Sequence, residues 1–215
     1  MLLSVLRGIG SRPNPRRRAA DTAKTAAEGP SDAALVRRAR AGETQAAADL
    51  YRRHVAYVLG MSVRMIGTRA DGEDVTQEAF AIALERLDSL ADPAAFRAWA
   101  AQIAVNLIRK RIRRHQLARL LGMDRGTPDA TLEALATSHG NAEARAELAL
   151  LDVALGRLPA NQRVAWMLRH VEGEELETVA RLTGCSLATV KRRIARAASG
   201  LAAHLGSGAI EEDSP

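Results

Sequence analysis

Apolar residues in this chain recur at steps of three and four, and no window alternates with period two for long enough to build a sheet. That regularity restricts the fold to packed helices. Aromatics are only 3% of the residues while Ala and Leu dominate, so the core has to be aliphatic. A length of 215 residues allows one large domain or two small ones. The periodicity fails in two places. Before Pro30 it gives way to Pro13, Pro15 and the run Arg16, Arg17, Arg18, and between Ala118 and Asn141 to Gly122, Gly126, Pro128 and Gly140. The expectation is an all-α protein of two small helical domains, 31–116 and 144–205. A flexible linker over 117–143 joins them, with a basic tail over 1–30 and an acidic tail over 206–215.

The segment Glu175–His204 is expected to form two helices around a tight turn. Leu176, Val179, Ala180 and Leu182 share one face of a short helix. Gly184 follows, where the chain needs a positive φ that Gly reaches at least cost. Ser186 is suited to cap the next helix. In that helix Leu187, Val190, Ile194, Ala197 and Leu201 form one apolar stripe, leaving a face with Lys191, Arg192, Arg193 and Arg196 and no acid. This is the pattern of a helix-turn-helix whose second helix enters a DNA groove.

A second basic face lies earlier. Asp92 and Pro93 form a helix start, and Phe96, Trp99, Ala100, Ile103 and Leu107 are expected to line the buried side of the helix that follows. Gln102, Asn106, Arg109 and Arg113 then make one polar stripe, with Lys110, Arg111 and Arg114 near its end. All four can hydrogen-bond base edges or phosphates. The helix expected over Asp71–Leu87 is different in kind: Asp71, Glu73, Asp74 and Glu78 make its start acidic, which suits a helix N-terminus and a basic protein partner better than DNA. Glu172, Glu174, Glu175 and Glu177 crowd the start of the short helix before Gly184, where the dipole tolerates them.

The net charge of +6 favours a polyanionic partner. The lone Cys185 excludes an internal disulfide, fits a reducing cytoplasm and is expected to be a small buried hydrophobe. His54 is expected to pack at the edge of a helix face, since no second ligand stands at metal spacing near it. No run is long and apolar enough to span a membrane. Neither a Ser/His/Asp set, a metal cluster nor a phosphate-cradling Gly loop is present, so an enzyme with a helix-turn-helix is disfavoured. A free-standing helix-turn-helix regulator would leave the acidic helix and the Gln102–Arg113 stripe unexplained.

Three separated motifs carry a family resemblance: DGEDVTQEAFAIAL (71–84), FRAWAAQIAVNLIRKRIRR (96–114) and LPANQRVAWMLRHVEGEELETVARLTGCSLATVKRRIARA (158–197). In that order they resemble the extracytoplasmic-function (ECF) group of bacterial sigma factors, sigma-70 family, over residues 32–204. The resemblance implies a non-enzymatic cytoplasmic protein with no cofactor or metal that joins core RNA polymerase and directs promoter-specific initiation. It implies that Asp71, Asp74, Gln77 and Glu78 dock on the coiled coil of the largest polymerase subunit. The loop Asp88–Ala95, with Asp88 and Ser89, would capture a flipped base of the −10 element. Gln102, Asn106, Arg109, Lys110 and Arg113 would hold the DNA there. Thr189, Lys191, Arg192, Arg193 and Arg196 would meet the −35 element. Leu158, Val164, Met167 and Leu168 would cradle the flap of the second largest subunit, and an anti-sigma factor would be a further partner. The chain departs from the family pattern at Thr76, Ala100 and Ala195.

Overall fold

Ser31 caps the first helix: its Oγ accepts from the Ala34 amide at 3.3 Å, and Asp32 stands in the first turn. The computed structural model describes residues 29–123 and 142–208, with side chains of the second stretch from 148 to 205. The expected tails and most of the expected linker lie outside the described residues. Helix α1 is Asp32–Arg40. Gly42, at φ +89, turns the chain into α2, Thr44–Ile66. Helix α3 is Arg69–Glu85. Two single 3-10 turns, Leu87–Ser89 and Pro93–Ala95, lead into α4, Phe96–Leu120. The second domain is α5 (Ala142–Arg157), α6 (Ala160–His170), α7 (Leu176–Thr183) and α8 (Leu187–Gly208). No strand occurs among the described residues.

In the first domain α2 packs on α3 and α4, and α1 lies against α2. Leu50, Val58, Met61 and Met65 of α2 meet Val75, Ala79 and Phe80 of α3 and Phe96, Ala104 and Ile108 of α4, all essentially buried. The expected inward face of α4 is only partly right. Phe96, Ala100 and Leu107 are buried, but Trp99 and Ile103 are half-covered, and Ala101, Ala104, Val105, Ile108 and Ile112 are buried instead. The cause is that α4 is packed against α3 on one side and α6 and α7 on another, so its buried arc is wider than one stripe. Alanines at 100, 101 and 104 allow that double approach. The helix also runs to Leu120, past the expected domain end at 116.

His54 is buried, as expected of a packing residue, and its Nε2 lies 2.8 Å from the Asp32 carboxylate, which also accepts from Arg53 at 2.7 Å. Burial alone would raise the Asp32 pKa, but hydrogen bonds from His54 and Arg53 outweigh it and hold the carboxyl below its ordinary value. A depressed folded-state pKa gives stability that is present above the unfolded value and lost as pH falls through the folded one. The stability gap between wild type and Asp32→Asn should therefore shrink as pH falls below about 4. Parallel thermal melts check this, and a gap that stays constant to about pH 2 would exclude the pair as its source.

In the second domain Leu155, Val164, Trp166, Met167, Leu168, Val179, Val190, Ala197 and Leu201 are buried. This corrects one expectation: Leu158, Val164, Met167 and Leu168 are at most 3% exposed, so they are domain interior and offer no cradle. Among the described residues of that domain, Leu150 and Val153 on α5 are the exposed large apolar side chains.

Candidate nucleic-acid interface

Helix α7 ends at Gly184 in the left-handed region, φ +63, where the Cys185 amide donates to Ala180 O at 3.1 Å. Ser186 Oγ accepts from the Thr189 amide at 3.3 Å and opens α8. The apolar stripe of α8 lands as its spacing predicts: Val190, Ala197 and Leu201 are buried, with Leu187 and Ile194 half-buried. That leaves Lys191, Arg192 and Arg196 exposed and Thr189 half-exposed on the opposite face. Arg193 is half-buried and its Nη1 lies 3.3 Å from Cys185 Sγ. Cys185 is itself half-exposed beside Thr183 and Arg193, so it is not the buried hydrophobe expected.

Asn161, Gln162, Thr189, Arg192, Arg193 and Arg196 line one concavity, where the start of α6 approaches α8. Sequence reasoning missed Asn161 and Gln162. Their signal was their place just after Pro159, in the first turn of a helix, the end whose dipole favours an anion.

On α4, Asn106 and Arg113 are exposed while Gln102 and Arg109 are half-buried. Lys110 is exposed beside them. Arg109 hydrogen-bonds Asn106 Oδ1 on its own helix and donates to Thr183 O, at the end of α7, at 3.1 Å. Burial, reinforced by Arg113 and Arg193 nearby, pushes the Arg109 guanidinium below its ordinary range. The two basic faces read separately from the sequence are thus neighbours in space.

The Asp88–Ala95 loop is braced by Arg40, whose Nη2 donates to Leu87 O and Leu90 O at 2.9 and 2.5 Å. Asp88 is left almost fully exposed, with Arg40 3.7 Å away, and Ser89 Oγ donates to Arg86 O at 2.7 Å. Asp92 and Pro93 act as a cap and first position, but of a 3-10 turn rather than of α4 itself. On α3, Asp74, Gln77 and Glu78 share an exposed face. Asp71 is engaged inward: its carboxylate takes Arg111 at 2.6 Å, Thr68 at 2.9 Å and His115 at 3.3 Å. Glu172 departs furthest from its expected role at a helix start. It is 3% exposed and holds Arg64 of α2 through two hydrogen bonds at 2.6 and 2.9 Å.

Among the described residues no three His, Cys, Asp or Glu side chains group as metal ligands would, and no helix is long and apolar enough to cross a membrane. What the geometry offers is two polar, basic helix faces, an exposed loop and one acidic helix face.

Residues 50–118 match the family model for sigma-70 region 2, and residues 148–199 match that for sigma-70 region 4. ECF RNA polymerase sigma factor SigM of Mycobacterium tuberculosis is 32% identical over 82% of this chain and 85% of its own. The probable RNA polymerase sigma factor RfaY of Xanthomonas campestris is 35% identical over 60% of this chain, a stretch that spans only 32% of that relative. Among solved structures, CnrH in complex with the cytosolic domain of CnrY aligns with a TM-score of 0.54 at 27% identity, covering 85% of this chain and 99% of that one.

Proposed function

The chain belongs to the ECF sigma factors of the sigma-70 family and serves promoter-directed transcription initiation, and from that premise we propose how its residues divide the work. The exposed face of α3, with Asp74, Gln77 and Glu78, docks on a basic surface of core polymerase. Asp71 supports that face from behind by fixing Arg111 against it. Asp88 and Ser89, on the loop held by Arg40, meet the displaced −10 base. Gln102, Asn106, Arg109, Lys110 and Arg113 hold the adjoining strand. Thr189, Lys191, Arg192, Arg193 and Arg196 meet the −35 groove, and Asn161 and Gln162 meet a phosphate at its rim. An anti-sigma factor is a third partner, by analogy with CnrH and the cytosolic domain of CnrY.

The observation that supports this reading best is the order of the two family matches, each containing a basic helix face with an adjoining polar stripe. A free-standing regulator would have no use for the first of them. The reading gives the chain no reaction of its own and places it in the cytoplasm, where chromosome and polymerase are. Its mechanism is binding energy spent on distorting DNA. Unstacking and flipping a base costs a few kcal/mol, which a pocket for the base and the phosphate contacts offset. Two weak readers on one tether raise each other's effective concentration and select the spacing between the elements.

Transcription run-off with core polymerase on genomic fragments tests this, because it maps start sites without knowledge of the promoter. On a mapped promoter Arg196→Ala should weaken −35 selectivity by roughly 10- to 100-fold, the worth of one good base contact. Asn106→Ala should slow open-complex formation more than initial binding. Unchanged run-off from both variants would remove those assignments.

A further inference from the structure

Asp88 and Ser89 stand on a turn that is held by α1, a helix given no contact with DNA in the scheme above. Arg40 closes α1, and its side chain is 26% exposed. Its Nη2 donates to Leu87 O at 2.9 Å and to Leu90 O at 2.5 Å, and its Nε donates to Leu87 O at 3.3 Å. One planar guanidinium thus ties the two ends of the turn, a span that a lysine ammonium does not match. Helix α1 is itself fixed: Leu35 and Val36 are fully buried, and Asp32 is held by Arg53 and His54. From the other side Leu87 and Leu90 are anchored by burial of their side chains. Asp88 and Ser89, between them, remain exposed.

The brace also decides which hydrogen-bonding groups the loop has left to offer. Leu87 O and Leu90 O are taken by Arg40. The amides of Ser89, Leu90 and Ala95 donate to Arg86 O, Leu87 O and Asp92 O, and the Ala94 amide donates to Asp92 Oδ1. The Ser89 hydroxyl donates to Arg86 O, which leaves it only lone pairs. Asp88 has its side chain 91% exposed, with Arg40 Nε 3.7 Å from Oδ1, close enough to orient the carboxylate and too far to consume it. The side chains of the turn therefore present acceptors. A carboxylate suits a base whose Watson–Crick edge carries an amino group, as in adenine, cytosine and guanine. Thymine offers one N–H between two carbonyl oxygens, and those oxygens meet a carboxylate unfavourably.

We propose that Arg40 is a positioning residue for −10 reading: it shapes the Leu87–Leu90 turn so that the Asp88 carboxylate selects an amino-bearing displaced base against thymine. The base preference rests on the sigma reading, and the brace rests on geometry alone. Arg40 acts through Asp88, so its loss should cost discrimination at one base and leave the −35 contacts and the polymerase face untouched.

The test uses holoenzyme, made from the full chain and core polymerase, on fork-junction DNA from a promoter mapped by run-off. Scanning 2-aminopurine along the non-template strand finds the displaced position, which is then given each of the four bases in turn. Wild type should bind the amino-bearing forks about tenfold more tightly than the thymine fork. Arg40→Gln and Arg40→Lys should each lose most of that ratio, while their binding to core polymerase and to a −35 duplex stays at the wild-type level. Asp88→Ala should abolish the ratio, and adding Arg40→Gln to it should cost nothing further, because both act through one carboxylate. Indifference of wild type to thymine, full discrimination by either Arg40 variant, or independent losses in the double variant would overturn the proposal. Circular dichroism melts accompany each variant, and Arg40→Lys, which keeps the charge and the helix, decides if Arg40→Gln loses its fold. The second readout is amide hydrogen exchange in the free full chain. Arg40→Gln should speed exchange at Ser89 and Leu90 by about tenfold through local opening and leave α2 to α4 unchanged; equal exchange at the turn would overturn the brace. If run-off maps no promoter, the sigma reading fails and the base preference with it, while exchange still decides the brace.

Discussion

Trp166→Ala is expected to unfold the second domain and abolish −35-dependent run-off while the first domain keeps its helices. Trp166 is 2% exposed at the centre of α6, with its ring centroid 4.9 Å from that of His170. Truncating a buried Trp costs about 3–5 kcal/mol, because both transfer energy and packing around the hole are lost. Whole domains are stable by about 5–15 kcal/mol, and small ones sit at the low end. The second domain is four helices with few large side chains, so nothing nearby can collapse into the space. The measurements are run-off yield and a thermal melt followed by circular dichroism. About the signal of α5–α8 should be lost at low temperature, and Trp166→Phe should recover most of it. Normal run-off from Trp166→Ala would mean that the core of this domain is not organised around α6.

Much of the architecture was legible because it depends on local signals. The Gly184 turn, the Ser186 cap and the Val190, Ala197, Leu201 stripe are settled within a dozen residues, and each lands where its spacing puts it. What failed was whatever depends on a second element. The buried arc of α4 was misjudged because a single amphipathic stripe assumes one neighbour, and α4 has several. Met167 and Leu168 looked like a binding surface because an apolar face does not say which partner covers it. Here α8 and α5 do. Glu172 seemed one more acid at a helix start, since nothing local distinguishes it from Glu174 or Glu175. Only the fold shows Arg64, 108 positions away, beside it. The candidate DNA residues were found one helix at a time, and their adjacency across the domain boundary has no sequence signature.

Gly72→Ala is expected to destabilise the first domain, although Ala is the better helix former. Gly72 lies near the start of α3, where that helix crosses α2. A Cβ placed there would sit 2.9 Å from both the N and the Cα of Val63 and closer still to its Cγ2. The first two are backbone atoms of a packed helix, so no rotamer change relieves the clash, and α2 and α3 have to move apart. Overpacking of this kind costs about 1–3 kcal/mol, while the helix-propensity gain of Ala over Gly returns about 1 kcal/mol. The clash is with backbone, so the steric term should win, with a net loss of up to roughly 2 kcal/mol, and Gly72→Leu should lose roughly 3 kcal/mol or more. Thr76, buried one turn on, donates to Gly72 O at 2.7 Å, so the displaced helix also strains a buried hydrogen bond. The functional consequence follows from position: Asp74, Gln77 and Glu78 ride on the same helix, and a shift of α3 moves the proposed polymerase face. Denaturant melts of the two variants give the stability change, and core-polymerase binding should weaken in the same order. Stabilisation by Gly72→Ala would show that α2 and α3 do not cross this closely in solution.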